Sequence, residues 1–234
     1  MTLPFSPPEL PEAKMRLLVE AERAFGEHGI ANASLREISE RAGHRNRSAV
    51  QYHFGDRDGL VVALLQMRRP QVDKIRAGFF AALGLDIGSS PSEVLVEAIA
   101  GPLLFSELRS RLQPYARTVH ALLQYDVDGE LWRQTGDAAP LTRSIYAALR
   151  LRGRGMDDAE WRMRQLAFGR CCVDLAAHRG AIFPGGTMAD QQLAAKLIDM
   201  LCAMLLAPAT AQPTPARTNC TIWRTIGRIE NLVT

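Results

Sequence analysis

Along most of the chain apolar residues recur three and four positions apart, the spacing of a helix face, while the β-branched runs typical of strands are missing. The pattern predicts an all-α fold. After a Pro-rich leader over residues 1–11, Leu17, Leu18, Ala21, Ala24 and Phe25 form one stripe of a helix from Glu12 to His28, closed by Gly29. A second helix begins at Ser34, which pairs with Glu37 as a capping box and sets Leu35, Ile38 and Ala42 on one face before Gly43 stops it. His44 and Arg45 make a turn, Asn46 is the next N-cap, and a short helix from Arg47 to Phe54 turns Val50 and Phe54 inward. A fourth helix starts at an Asp56 cap and runs to Pro70, where the missing amide predicts a bend or break before Val72–Leu83 continues.

Further on, Ser90-Pro91-Ser92-Glu93 joins a capping box to a proline at the first helical position, opening a helix toward Arg109 with an interruption at Gly101-Pro102. Helices are then predicted from Pro114 to Tyr125, from Pro140 to about Arg152, and from an Asp157 cap boxed with Glu160 to Arg179. The last, Thr187 to Ala207, is apolar nearly all round, so its own domain is not expected to cover it completely. Phe168, Cys172 and Leu175 on one helix and Leu197, Ile198, Leu201 and Leu205 on the next are therefore the candidate dimer interface, a two-fold four-helix bundle. The last helix carries two such stripes, and its sequence leaves open which of them meets the partner. The expected division is a leader (1–11), a helix-turn-helix unit (12–58), a larger helical unit (59–207) and a loose Ala/Pro/Thr-rich tail (208–234).

At 234 residues and 47% hydrophobic content the chain is long enough for one large or two small packed domains, and a net charge of +3 says little. Placement says more: between positions 41 and 57 four arginines stand against one aspartate. Cys171, Cys172, Cys202 and Cys220 show neither a C-x-x-C spacing nor a nearby histidine pair, so no metal centre, cofactor or disulfide framework is expected. Nucleophile elbow, Walker loop and H-E-x-x-H are absent from the sequence, which leaves no candidate catalytic residue. Without a signal-like leader or a long uncharged apolar run, the expected location is the cytoplasm, with no membrane partner.

The short helix carries Arg47, Ser48, Ala49, Gln51 and His53 on the face away from Val50, side chains small or donor-rich enough to enter a major groove about 12 Å wide. Its ending, His53-Phe54-Gly55-Asp56-Arg57-Asp58-Gly59-Leu60, resembles that of the TetR/AcrR family of bacterial transcriptional regulators. Two departures stand out: the turn is one residue longer, and Gln51 takes the usual aromatic position with Tyr52 beside it. The resemblance implies that His53 and Arg57 contact phosphate, that Arg47, Ser48, Ala49 and Gln51, with Tyr52, read bases, and that Arg36 reaches DNA from the preceding helix. It further implies a dimeric repressor of a near-palindromic double-stranded operator, released by a small, largely apolar effector. Phe80, Phe105, Tyr115, His120, Tyr125, Trp132 and Tyr146, aromatics with a few polar tips, are the candidate lining of the effector pocket. The competing reading is a helical ligand-binding protein or enzyme that does not bind DNA.

Overall fold

The computed structural model describes residues 10–104, 109–178 and 187–208. Ten α-helices and one 3-10 turn make up the described residues, and no strand occurs among them. Helices α1 (Glu12–His28), α2 (Leu35–Arg41) and α3 (Ala49–Phe54) precede the long α4 (Arg57–Leu83), followed by α5 (Ser92–Leu104) and α6 (Arg109–Tyr125). Then come the short α7 (Glu130–Gln134), the 3-10 turn Gly136–Ala138, α8 (Pro140–Arg152), α9 (Asp158–Ala177) and α10 (Thr187–Leu206). The predicted caps at Ser34, Asp56 and Asp157 accept the amides of Glu37, Gly59 and Glu160 at 3.3, 2.7 and 2.7 Å. Phe105, the predicted end at Arg179 of the helix from Asp157, and the tail from 209 onward, with Cys220, lie outside the described residues.

Four boundaries differ from the sequence pattern, the first being α5, which runs unbroken through Gly101 and Pro102 where an interruption is predicted. Helix α4 continues through Pro70 as a single helix of 27 residues, because its core side chains on both sides of the proline, Leu64, Leu65, Met67 and Val72, pack into the same apolar cluster. Helix α6 begins at Arg109 and carries Pro114 internally. Helix α3 begins only at Ala49, since Asn46 spends its side chain on the Ser48 amide (2.9 Å) and Arg47 and Ser48 stay in the preceding turn.

Two apolar clusters organise the molecule. The first joins Leu17, Leu18 and Phe25 of α1, Ile38, Val50, and Leu60, Leu64 and Leu65 of α4 to Leu112, Tyr115 and Val119 of α6. The second joins Leu95 and Ile99 of α5, Ile145 and Leu149 of α8, Trp161, Phe168 and Cys172 of α9, and Leu197, Ile198, Leu201 and Leu205 of α10. Helix α1 lies close along α6: a Cβ on Gly26 would stand 3.1 Å from the Arg117 Cβ, and Thr118 Oγ1 donates to the Glu22 carbonyl at 2.8 Å. Arg68 of α4 forms a bidentate ion pair with buried Glu22, its Nε at 2.7 Å, so α1 is held from both sides.

This placement corrects the interface expectation. Phe168, Cys172, Leu197, Ile198, Leu201 and Leu205 are buried within their own chain, and Leu175 is partly buried against the same cluster. Helix α10 packs on both α5 and α9, which bury Leu197, Ile198, Leu201 and Leu205 within the chain and leave Cys202 and Met204 partly buried. What α9 and α10 leave outside is a different set, Met163 and Leu166 at 62% exposure and Met200 at 48%.

The middle of α4 ties α5 and α8 together through two buried charges. Pro102 removes the amide that would bond the Ala98 carbonyl, and Arg76 supplies donors there, Nε to Ala98 O and Nη2 to Ile99 O, both at 3.0 Å. One turn earlier, Asp73 caps α8 from outside, accepting the Leu141 amide at 2.8 Å, the Thr142 amide at 3.2 Å and the Thr142 hydroxyl. The two side chains also pair with each other at 3.4 Å. Burial lowers the Arg76 pKa and Asp73 raises it, the first effect being the larger.

Candidate nucleic-acid interface

Ala49 and Val50 anchor α3 in the core, and Leu60 of the next helix closes over them. Gln51 and Tyr52 therefore face outward, Tyr52 at 81% exposure, while His53 and Phe54 are partly buried. An exposed tyrosine on a six-residue helix buries little surface in the fold and offers a ring and a hydroxyl to a partner. Arg41, Arg45, Arg47 and Ser48, close to it in sequence, are exposed as well, as is Arg36 on α2. Glu40 holds two of these cations in the free protein, accepting Arg47 Nε at 2.8 Å and Arg36 Nε at 3.3 Å.

Two candidate contacts change role. Ala49 faces inward, which removes it from the base-reading face. Arg57 turns its Nη1 onto the Ile30 and Ala33 carbonyls, the latter at 2.7 Å, and thereby clamps the α1–α2 connection to the start of α4. Its guanidinium is occupied with structure rather than held out for phosphate. His53 stands edge-on to His44 (5.9 Å) and Tyr52 (4.9 Å), and burial, then Lys14 and His44, hold its pKa below the ordinary imidazole value.

The spacing of α3 depends on Gly59. A Cβ there would sit 2.0 Å from the Phe54 carbonyl oxygen, so the first turn of α4 passes over the end of α3 at backbone distance. Nearby, Tyr125 at the end of α6 donates its hydroxyl to Asp58 Oδ1 at 2.7 Å, and that bond, more than desolvation, raises the Tyr125 pKa. A cleft of about 490 Å³ opens at this junction, lined by Asp58, Gly59, Val62, Tyr125, Asp126, Glu130, Leu131 and Gln134.

Of the residues expected around an effector, Tyr125 alone lines that cleft. Phe80 and Tyr146 pack with the second cluster, Tyr146 edge-on to Phe168 at 6.2 Å, and desolvation raises its pKa. Tyr115 is buried in the first cluster, where desolvation raises its pKa and the charges of Arg69 and Arg76 oppose the rise. Trp132 lies under Arg69, whose guanidinium stands 4.4 Å from the ring centre and donates to Trp132 O and Thr135 Oγ1 at 3.0 and 2.7 Å. The Arg69 Nε is buried without a hydrogen-bond partner, and burial lowers the side chain's pKa. His120 faces α9, beside Asp174 and His178. Neither Asp174 nor His178 stood out in the sequence, because 54 residues separate Asp174 from His120 and only the packing of α6 on α9 joins them. Burial raises the pKa of Cys171, Cys172 and Cys202, which disfavours the reactive thiolate at each.

The fold and this face together define a helix-turn-helix protein, α2 and α3 forming the motif and α1 and α4 bracing it. Residues 17–64 match the profile of the bacterial regulatory proteins, tetR family, so the helix-turn-helix unit is a domain of that type. Over 52 residues it is 38% identical to the HTH-type transcriptional repressor AcnR of Corynebacterium glutamicum, covering 22% of this chain and 27% of the relative. The AcnR of Corynebacterium diphtheriae is 38% identical over 56 residues, 24% of this chain and 29% of that one. The similarity thus spans between a quarter and a third of these curated relatives' length. Among solved structures, a chain described as a TetR-family transcriptional regulator of Mesorhizobium loti aligns with 83% of this chain and 98% of its own, at 17% identity and a TM-score of 0.46. No helix among the described residues is long and apolar enough to cross a membrane.

Proposed function

We propose that the chain is a cytoplasmic transcriptional repressor, without enzymatic activity, that binds a near-palindromic operator in double-stranded DNA as a homodimer and releases it when a small-molecule effector binds. The observation that carries this reading is the outward face of α3 and its preceding turn: Gln51 and Tyr52 exposed on a helix anchored by Ala49 and Val50, with Arg36, Arg41, Arg45 and Arg47 exposed on the flanking segments. Gln51, Tyr52 and Ser48 meet base edges, while Arg36, Arg47 and His53 meet phosphate. The outward apolar side chains Met163, Leu166 and Met200 are the basis for the homodimer. The effector enters the cleft beside Tyr125, its apolar body on Val62 and Leu131 and its donor groups toward Asp58, Asp126 and Glu130. Release then follows from competition for Asp58, because a ligand shifts only an equilibrium whose two states it binds unequally.

Fluorescence anisotropy with a labelled fragment from upstream of the protein's own gene tests this. Expected are tight binding that falls steeply with salt, two chains per site, and affinity lost in a Gln51→Ala, Tyr52→Ala double variant. Equal affinity for that fragment and a scrambled one overturns the repressor reading and favours a helical ligand-binding protein.

A further inference from the structure

Outside the DNA-facing unit, two of the chain's five histidines meet one carboxylate. His120 comes from α6, and Asp174 and His178 come from the last turn and the cap of α9. Their ligand atoms all lie within 4.8 Å of one another. Asp174 Oδ1 stands 3.4 Å from His120 Nδ1 and 3.3 Å from His178 Nδ1, and the imidazole rings face each other at 4.9 Å, nearly perpendicular.

These spacings discriminate between two kinds of contact. A charge-assisted N–H···O bond closes to about 2.7–2.9 Å. Two donor atoms held about 2.0–2.1 Å from a tetrahedral ion stand about 3.3–3.4 Å apart. Both measured edges have the second value. The remaining edge, between the histidines, needs only a side-chain rotation at His178, which lies at the helix end and is half exposed.

We infer that His120, Asp174 and His178 form a binding site for a divalent transition ion of the zinc class, with a fourth position open to water. Two imidazoles and a carboxylate suit zinc, cobalt or nickel and suit calcium or magnesium poorly. Gln124 supplies the outer support: its side-chain amide lies 3.0 Å from His120 Nε2, and with Oε1 turned inward it accepts the Nε2 proton and leaves Nδ1 free for the ion. His178 Nδ1 also lies 3.1 Å from the Asp174 carbonyl, so metal binding exchanges that hydrogen bond for a coordinate bond, with the neutral ring carrying its one proton on Nε2 instead of Nδ1. The ion pins α6 to α9 five residues before Tyr125, whose hydroxyl holds Asp58 at the start of α4. The site itself does not depend on the DNA-binding reading; any effect on operator affinity does.

Cobalt tests the site in the full-length protein, because Co²⁺ absorbs strongly in the visible only at low coordination number, and zinc then competes for it. Expected are one ion per chain, a visible band abolished by zinc, and a raised thermal midpoint. His120→Ala, Asp174→Asn and His178→Ala should each weaken binding by more than about tenfold, and Gln124→Ala by about tenfold. His44→Gln and His53→Gln should leave it unchanged. Circular dichroism reports whether each variant is folded, and the residues' exposure predicts that all are. The absence of a low-coordination band, or binding that survives the three ligand substitutions, overturns the site. If the ion binds as described while operator binding fails altogether, the repressor reading falls and the metal site stands.

Discussion

The Tyr125 hydroxyl donates to Asp58 Oδ1 at 2.7 Å and so joins the last residue of α6 to the first turn of α4, next to the end of the DNA-facing helix. Both residues line the cleft beside it. Tyr125→Phe should cost about 1 kcal/mol of stability at most, as a partly exposed hydrogen bond does. Operator affinity should fall about fivefold, and the cleft ligand's effect on DNA should shrink with it. Unchanged affinity and unchanged ligand response in anisotropy titrations would remove this bond from the coupling route.

Gly59→Ala should displace α3. A methyl group 2.0 Å from the Phe54 carbonyl has no room, so the recognition helix moves while helices packed on α5, α8 and α9 keep their places. The expected result is loss of operator binding by more than about 100-fold, with helix content by circular dichroism nearly intact.

Arg47 and Arg57 separate by their effects. Arg47 is exposed and paired with Glu40, so Arg47→Ala should leave stability unchanged and make the salt dependence of binding shallower by about 0.9 in slope. Arg57 is bound to two backbone carbonyls, and Arg57→Ala should instead lower stability by about 2 kcal/mol, since buried acceptors lose a charged donor. Denaturant melts beside salt titrations distinguish the two.

His53 predicts opposite pH trends for the free and bound protein. Its pKa is depressed in the folded state, so its contribution to stability is present above the ordinary imidazole pKa and is lost as pH falls through the lowered value. A neighbouring phosphate raises that pKa, and DNA binding then takes up a proton, so affinity should increase as pH drops from about 8 to 6 while the free protein's stability declines. His53→Gln should flatten both trends, and affinity that retains its pH dependence in that variant would place the proton elsewhere.

Charge placed on α9 and α10 tests the outward apolar face. Leu166→Glu or Met200→Glu should give a folded monomer by light scattering, with weak operator binding. Leu201→Glu puts a carboxylate into a core position of zero exposure and should unfold the chain. A Leu166→Glu, Met200→Glu double variant that remains dimeric would assign the interface to another face.

Periodicity and caps made much of this fold readable in advance. The limits of α1 and α8 follow from the stripe ending at Phe25 and from Pro140, and the Asp157 cap marks the start of α9. Side-chain direction on α9 and α10 was not readable, because Leu201 and Met200 are equally apolar as letters and only the packing of α10 on α5 and α9 separates them. The candidate DNA contacts divide in the same way. Tyr52 and Gln51 face outward as the motif suggests, but Arg57 and Ala49 look equally eligible until the carbonyls of Ile30 and Ala33 and the core behind α3 are seen. Charges buried by partners far along the chain, such as Glu22 with Arg68, leave no local trace at all.

The external cap on α8 bears on the order in which the chain folds. Asp73 and the Leu141 amide it accepts are 68 residues apart, and Ala139, the residue at the cap position, makes no side-chain bond there. Helix α8 alone has 13 residues, about the length at which isolated helices are marginal in water. It is therefore expected to consolidate only after α4 has docked, because the long loop closure places that contact late in folding. In native-state hydrogen exchange the amides of Leu141 and Thr142 should open together with the middle of α4, as one cooperative unit rather than as a fraying helix end.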